Sequence, residues 1–134
     1  CGDYIFFPIP MVDERLPAKT RVLSINSENA QKAYPIKNFV IPTLINETID
    51  GTLYAIILSN KEKIGIAFET SSSLSIAEWD IENGSIIIED ENGNQWNILG
   101  ISTNGSESNL ITANAFISYW FSQAAFYPGT EIHS

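Results

Sequence analysis

Side chains able to do chemistry are few in this chain, and their placement narrows what they could do. There is one cysteine, Cys1, and one histidine, His133. Zinc binding by a histidine or cysteine cluster is therefore excluded by counting. A Ser-His-Asp triad would have to recruit His133, one residue from the end of the sequence, where a mobile tail is expected and the base would lack an orienting partner. Gly100-Ile-Ser102-Thr-Asn-Gly105 approximates the Gly-x-Ser-x-Gly elbow but has one residue too many, and no strong helix signal follows it. Asp90-Glu-Asn-Gly-Asn94 places oxygen donors at alternate positions, as a calcium loop does. An EF-hand would need Gly at 95 and Glu at 101, where this chain has Gln95 and Ile101. A hairpin turn at Asn92-Gly93 accounts for the same residues. The remaining enzymatic option is the alternation of Glu78, Asp80 and Glu82, which puts three carboxylates on one strand face, as an acid-dependent hydrolase or lyase requires. Ile76, Trp79 and Ile81 are not consistently phased against them, and a solvated strand face gives the same pattern. No catalytic residue, metal or cofactor is expected.

Cys1 is followed by Gly2 and Asp3. This start resembles the mature end of bacterial lipoproteins, in which the cysteine thiol is acylated and a small residue commonly follows. The resemblance implies lipid as a partner through acylated Cys1 and a place in the cell envelope, with the outer membrane as the default. Several acyl chains would give an effectively permanent anchor, since each buried methylene contributes about 0.8 kcal/mol. The alternative is an ordinary exposed thiol, which would be a liability on a secreted surface.

At 134 residues the chain has the length of one domain, and its 44% hydrophobic and 17% charged residues are globular in balance. No apolar run approaches the roughly 20 residues of a membrane-spanning helix. The net charge of −9 is placed unevenly. All seven basic residues, Arg15, Lys19, Arg21, Lys32, Lys37, Lys61 and Lys63, lie in the first 63 positions, where seven acids balance them. From Ile64 onward there are nine acids and no Lys or Arg. That half lacks the cations that phosphate backbones and anionic lipid surfaces demand, so no nucleic acid is expected as a partner.

The elements that must position these residues are mostly strands. Residues 1–20, with Pro8, Pro10 and Pro17, read as an extended, lipid-anchored segment that packs in part on the domain. Residues 21–134 read as a single β-rich domain. Arg21–Ile25 alternates as a strand, Asn26–Asn29 turns, and Ala30–Tyr34 returns. Between Pro35 and Ile45 apolar residues recur near helical spacing with Pro42 as a breaker, which predicts two short helical turns. Asp50-Gly51, Asn83-Gly84, Asn92-Gly93 and Asn104-Gly105 are hairpin signals, because both residue types tolerate positive φ. Among them lie the apolar runs Leu53–Leu58, Ile64–Glu69, Leu74–Trp79, Ser85–Glu89 and Gln95–Ile101. About six or seven short strands in an antiparallel meander, small barrel or sandwich are expected, making the fold mainly β (α+β). Ala113, Phe116, Ile117, Trp120, Phe121 and Ala124 recur at helical spacing, which predicts a C-terminal helix almost wholly buried against the sheet, capped by Thr112 or Asn114 and stopped by Pro128-Gly129.

Several segments in order resemble the DUF3179 family. They are Lys32-Ala-Tyr-Pro-Ile36, Leu44-Ile-Asn-Glu-Thr-Ile-Asp-Gly51, Ile66-Ala-Phe68, Asp90-Glu-Asn-Gly-Asn-Gln-Trp96 with Gly100, and Tyr119-Trp-Phe through Ala125-Phe-Tyr-Pro128. The resemblance runs from about residue 21 to 132 and implies secreted or envelope-associated bacterial proteins with no established activity. Many relatives carry a Cys-x-x-Cys pair just before the strand corresponding to Ile64–Phe68. This chain has Ser59 and Glu62 near those places, so a dithiol or metal role there does not carry over.

These features point to contact rather than catalysis. The expected function is a non-enzymatic, lipid-anchored envelope protein that binds or acts as an accessory subunit of an outer-membrane assembly. Trp79, Trp96, Tyr119 and Trp120 are the candidate ligand or partner residues, with core packing as the competing role for each aromatic. A carbohydrate-binding module using Trp79 or Trp96 is the other binding alternative.

Overall fold

The computed structural model describes residues 15–105 and 108–133. Cys1 and most of the expected anchor segment, 1–20, lie outside the described residues. The part of that segment that is described turns at Pro17, where the Thr20 amide donates to the Pro17 carbonyl (3.0 Å), and it packs on the domain through Leu16 and Arg15, whose guanidinium lies 5.1 Å from the Trp120 ring centre.

The fold is mainly β, with three sheets that do not close into a barrel and one C-terminal helix. Strands β1 (Arg21–Asn26), β2 (Gln31–Pro35), β10 (Ala115–Tyr119) and β11 (Glu131–Ile132) form the first sheet, in the order β10-β1-β2-β11. β3 (Thr43–Ile49), β4 (Thr52–Ser59), β5 (Ile64–Glu69) and β9 (Ile111–Thr112) form the second, in that order. β6 (Leu74–Asp80), β7 (Ser85–Asp90) and β8 (Gln95–Asn97) form the third. All pairings are antiparallel except that of β11 with β2.

The sheets stack in layers, which explains why two strands are apolar without alternation. In β4, Tyr54, Ile56 and Leu58 join Leu23, Ile25, Tyr34 and Ile49 in a core between the first and second sheets. The intervening Ala55 and Ile57 point the other way, into a core with Phe68, Leu74, Ile88 and Trp96 between the second and third sheets. A strand covered on both faces needs apolar residues at every position. The same holds for β1: Leu23 and Ile25 face the second sheet, whereas Val22 packs with Ala33, Trp120 and Ala124 beneath the helix.

Turn chemistry sets the registers. Asp50 and Gly51 both have positive φ (51° and 81°), the geometry of a two-residue hairpin loop, and they bring Ile49 opposite Thr52. At Asn83-Gly84, Asn92-Gly93 and Asn104-Gly105 only the glycine does so.

Two local expectations change. Ile36–Asn38 is a short 3-10 turn, but the second helical turn expected near Pro42 is absent, and β3 starts at Thr43 to pair with β4 along its full length. The C-terminal pattern also divides. Ala115–Tyr119 is a strand paired with β1, and helix α1 spans only Trp120–Phe126, so neither Thr112 nor Asn114 caps it. Phe116, Ile117 and Tyr119 are good strand formers, and the open side of β1 satisfies their backbone groups, which outweighs the helical spacing. The helix is buried on one side only, through Trp120, Gln123 and Ala124.

Candidate functional site

Because the C-terminal pattern divides, its aromatic residues reach the surface. β10 is the terminal strand of its sheet. Phe116, Ile117 and Tyr119 on that strand, Phe121 and Phe126 on α1, and Tyr127 beyond it are all exposed, Phe126 by 77% and Phe116 by 57%. Tyr119 and Phe121 stack, with ring centres 6.1 Å apart and planes 18° from parallel. A shallow groove with Asn26, Ser122 and Gln123 runs between Phe116 and Phe126. The backbone beneath is fixed: the Trp120 amide donates to the Thr20 carbonyl (2.7 Å), and Gln123 Nε2 donates to Asn26 Oδ1 (2.8 Å) and Thr130 Oγ1 (3.1 Å). Contiguous exposed aromatics on a rigid support suit a recognition surface, since their burial needs little ordering.

The four residues singled out from the sequence take different places. Tyr119 belongs to this exposed face. Trp120 is fully buried under it. Trp96 is buried between the second and third sheets, and its indole N–H donates to the Ser108 carbonyl (2.8 Å). Trp79 is half-buried beside that same core, with a buried indole N–H that has no hydrogen-bond partner among the described residues.

The carboxylates of β6 are engaged within their own hairpin. Glu78 accepts from the Ser85 hydroxyl. Asp80 accepts from the Asn83 amide side chain (2.7 Å) and backbone (3.2 Å), and these bonds hold its carboxyl below the usual range. A register shift between Ile76 and Glu78 breaks the simple alternation on which a shared face would depend. Asp90 is bound in the same manner by Asn92 and Asn94, the hairpin alternative to a calcium loop. Among the described residues, no group of three or more His, Cys, Asp or Glu side chains could hold a metal ion.

A second polar cluster escaped the sequence expectations. Lys32 and Tyr34, two residues apart on β2, project from the same face, and Glu47 on β3 meets them by accepting from the Lys32 ammonium and the Tyr34 hydroxyl. Glu131 adds a second carboxylate 3.4 Å from Lys32 Nζ. Burial pushes the Glu47 carboxyl up, but the bonds from Lys32 and Tyr34 and the nearby positive charge override it and hold the group below its usual range. Burial first, then the bond to Glu47, pushes the Tyr34 hydroxyl far above its usual value. His133 is not a free tail. Its amide donates to the Ala33 carbonyl (2.9 Å), and its ring lies 5.1 Å from that of Tyr34 and 5.8 Å from that of Phe39. The i, i+2 spacing of Lys32 and Tyr34 was the available signal; their partner on β3 was not visible before the sheets were stacked.

Ser59 ends β4 fully buried, and its hydroxyl donates to the Glu62 carboxylate (2.5 Å).

The family model described as a protein of unknown function (DUF3179) matches residues 2–130. No curated protein and no solved structure matches the chain.

Proposed function

From the premise that this chain belongs to the DUF3179 family, we propose that it is a non-enzymatic envelope domain that works by binding a protein partner through its β10–α1 face. One observation carries this: the exposed aromatics Phe116, Tyr119, Phe121, Phe126 and Tyr127 adjoin β10, which among the described residues is the edge strand of its sheet. An edge strand offers backbone donors and acceptors to an incoming chain, and the aromatics beside it supply apolar contact. Acylation of Cys1 and an outer-membrane location belong to the same proposal, and their support is the Cys1-Gly2 sequence and the envelope association that the family resemblance implies.

The test is isolation of the native protein from membranes, with and without chemical cross-linking, beside the double variant Phe121→Ser/Phe126→Ser. The expected result is a stoichiometric partner held by the wild type and lost from the variant, whose thermal melting stays unchanged because both side chains are exposed. Mass spectrometry of the same material reads acylation of Cys1 directly. A wild type that leaves cells as a clean soluble monomer, or a variant that keeps the partner at full occupancy, would overturn the proposal.

A further inference from the structure

Four of the seven basic residues of this acidic chain converge on one cleft. Lys19 comes from the turn before β1, Arg21 from the first residue of β1, Lys37 from the 3-10 turn and Lys63 from the β4–β5 turn, and with Pro17, Thr20, Ile36, Asn60 and Ile117 they line a cleft of about 550 Å³. These segments lie far apart in sequence, and backbone bonds tie them together. The Asn60 amide donates to the Phe39 carbonyl (2.8 Å), joining the β4–β5 turn to the 3-10 segment. The Phe121 amide donates to the Ala18 carbonyl (3.0 Å), fixing the stretch before β1. Lys63 has a left-handed backbone, with φ of 59°, a conformation that costs a non-glycine residue about 1 kcal/mol. Its ammonium is 3.4 Å from Asn60 Oδ1, on the lip of the cleft.

Among the described residues, none of these four cations has a carboxylate within ion-pair distance; the pairs present belong to Lys32. Like charges gathered around one opening repel each other, and solubility does not call for them in a chain of net charge −9. We propose that this cleft binds a phosphate-bearing ligand.

The donor set distinguishes phosphate from a simple carboxylate. Three ammonium groups, a guanidinium fork, the Asn60 amide and the Thr20 hydroxyl exceed what one carboxylate can accept, whereas a phosphate monoester carries up to two charges on three terminal oxygens. Pro17, Ile36 and Ile117 add apolar wall, and the volume falls in the range of small-molecule sites, so the phosphate would carry an organic body. A soluble phosphate ester and a lipid headgroup share this chemistry.

The experiment uses the full chain. Calorimetric titration with glycerol phosphate, with inorganic phosphate as a smaller probe, reads the soluble case. Flotation with phosphatidylcholine vesicles, with and without phosphatidic acid, reads the headgroup case. Saturable binding in either arm is expected to weaken by about tenfold for each cation removed, since a charge-assisted bond contributes about 1.5 kcal/mol or more. Lys37→Gln/Lys63→Gln and, on a separate segment, Lys19→Gln/Arg21→Gln should both show the loss. Lys61→Gln, whose side chain does not line the cleft, should bind as the wild type does. Titration without vesicle capture assigns a soluble ester, and capture that depends on phosphatidic acid assigns a headgroup; both support the site. No binding in either arm, or an equal loss in Lys61→Gln, overturns it.

Discussion

The Ser59 hydroxyl donates to the Glu62 carboxylate across one turn at the end of β4. The two side chains close on each other at i, i+3. A buried serine hydroxyl and a half-buried carboxylate offer no thiolate, so the turn here is held by hydrogen bonding alone. The adjoining Asn60 and Lys63 line the basic cleft, which makes the geometry of this turn a determinant of where those donors stand.

Ser59→Ala removes the donor while leaving Glu62 partly desolvated. The expected cost is about 1–2 kcal/mol of stability, read as a lower denaturation midpoint with an unchanged denaturant slope. Ser59→Cys, a weaker donor of similar size, should lie between the variant and the wild type. A fully stable Ser59→Ala protein would show that the bond contributes nothing.

The Glu47 cluster imposes a pH dependence at both ends. Its carboxyl is held below the ordinary value of 4.5, so the stability it contributes is complete above that value and lost as pH falls through the folded one. For Lys32, burial opposes the charge but the Glu47 contacts prevail and raise its value above 10.5; for Tyr34, burial leads and Glu47 adds to it, raising the hydroxyl above 10.0. Their contribution is complete below those values and lost as pH rises through the folded ones. Glu47→Gln should cost about 1.5–3 kcal/mol near neutrality, because it replaces the nearer carboxylate by a neutral amide and leaves the Lys32 ammonium only the more exposed Glu131 as an ion-pair partner. Chemical denaturation across the pH range should show flatter acid and alkaline limbs in the variant. Limbs as steep as those of the wild type would place the titration elsewhere.

What the sequence made legible was mostly what local chemistry dictates. Three of the four Asx-Gly pairs located hairpin turns, because positive φ is a property of the residue itself; the fourth, Asn104-Gly105, lies in the connection between β8 and β9, which belong to different sheets. Leu53–Leu58 and Ile64–Glu69 were visible as strands from their apolar runs. Non-local pairing was not visible. Phe116, Ile117 and Tyr119 satisfy a helical spacing as well as a strand, and only the open side of β1, some 90 residues earlier, decides between them. His133 looked like a tail because nothing nearby in sequence shows that β11 lies beside β2. The basic cleft was hidden for the same reason: Lys19, Arg21, Lys37 and Lys63 are scattered along the chain and meet only when the β4–β5 turn docks on the 3-10 segment.

Gly100→Ala should be far more damaging than Gly51→Ala, although both glycines have φ near 80°. A Cβ on Gly100 would lie 2.8 Å from Phe68 Cε1 and 3.2 Å from Leu110 Cβ, whereas nothing lies within 4 Å of one on Gly51. Phe68 is buried between the second and third sheets and cannot swing away. About 1 kcal/mol of backbone strain is expected at Gly51, and about 2–4 kcal/mol of strain plus overpacking at Gly100. Thermal melting of the two variants compares them directly; equal losses would mean that the Phe68 contact relaxes without cost.

Ser24→Ala should stabilise the protein. Ser24 sits in the middle of β1, fully buried, opposite Ala33 on one side and Phe116 on the other, and its hydroxyl has no hydrogen-bond partner among the described residues. It shares the face of β1 that carries Val22 and Asn26, between the apolar contact of Val22 with Trp120 and the Gln123–Asn26 hydrogen bond. A hydroxyl taken out of water without compensation costs about 1–3 kcal/mol, and alanine removes the oxygen while leaving only a small gap. The backbone ladder on both sides of Ser24 is unaffected, so the strand keeps its pairing. A gain of about 1 kcal/mol in denaturant unfolding is expected. A loss of similar size would show that the hydroxyl is satisfied, by rotation onto a strand carbonyl or by a buried water, and that the layer between β1 and α1 is more polar than its side chains indicate.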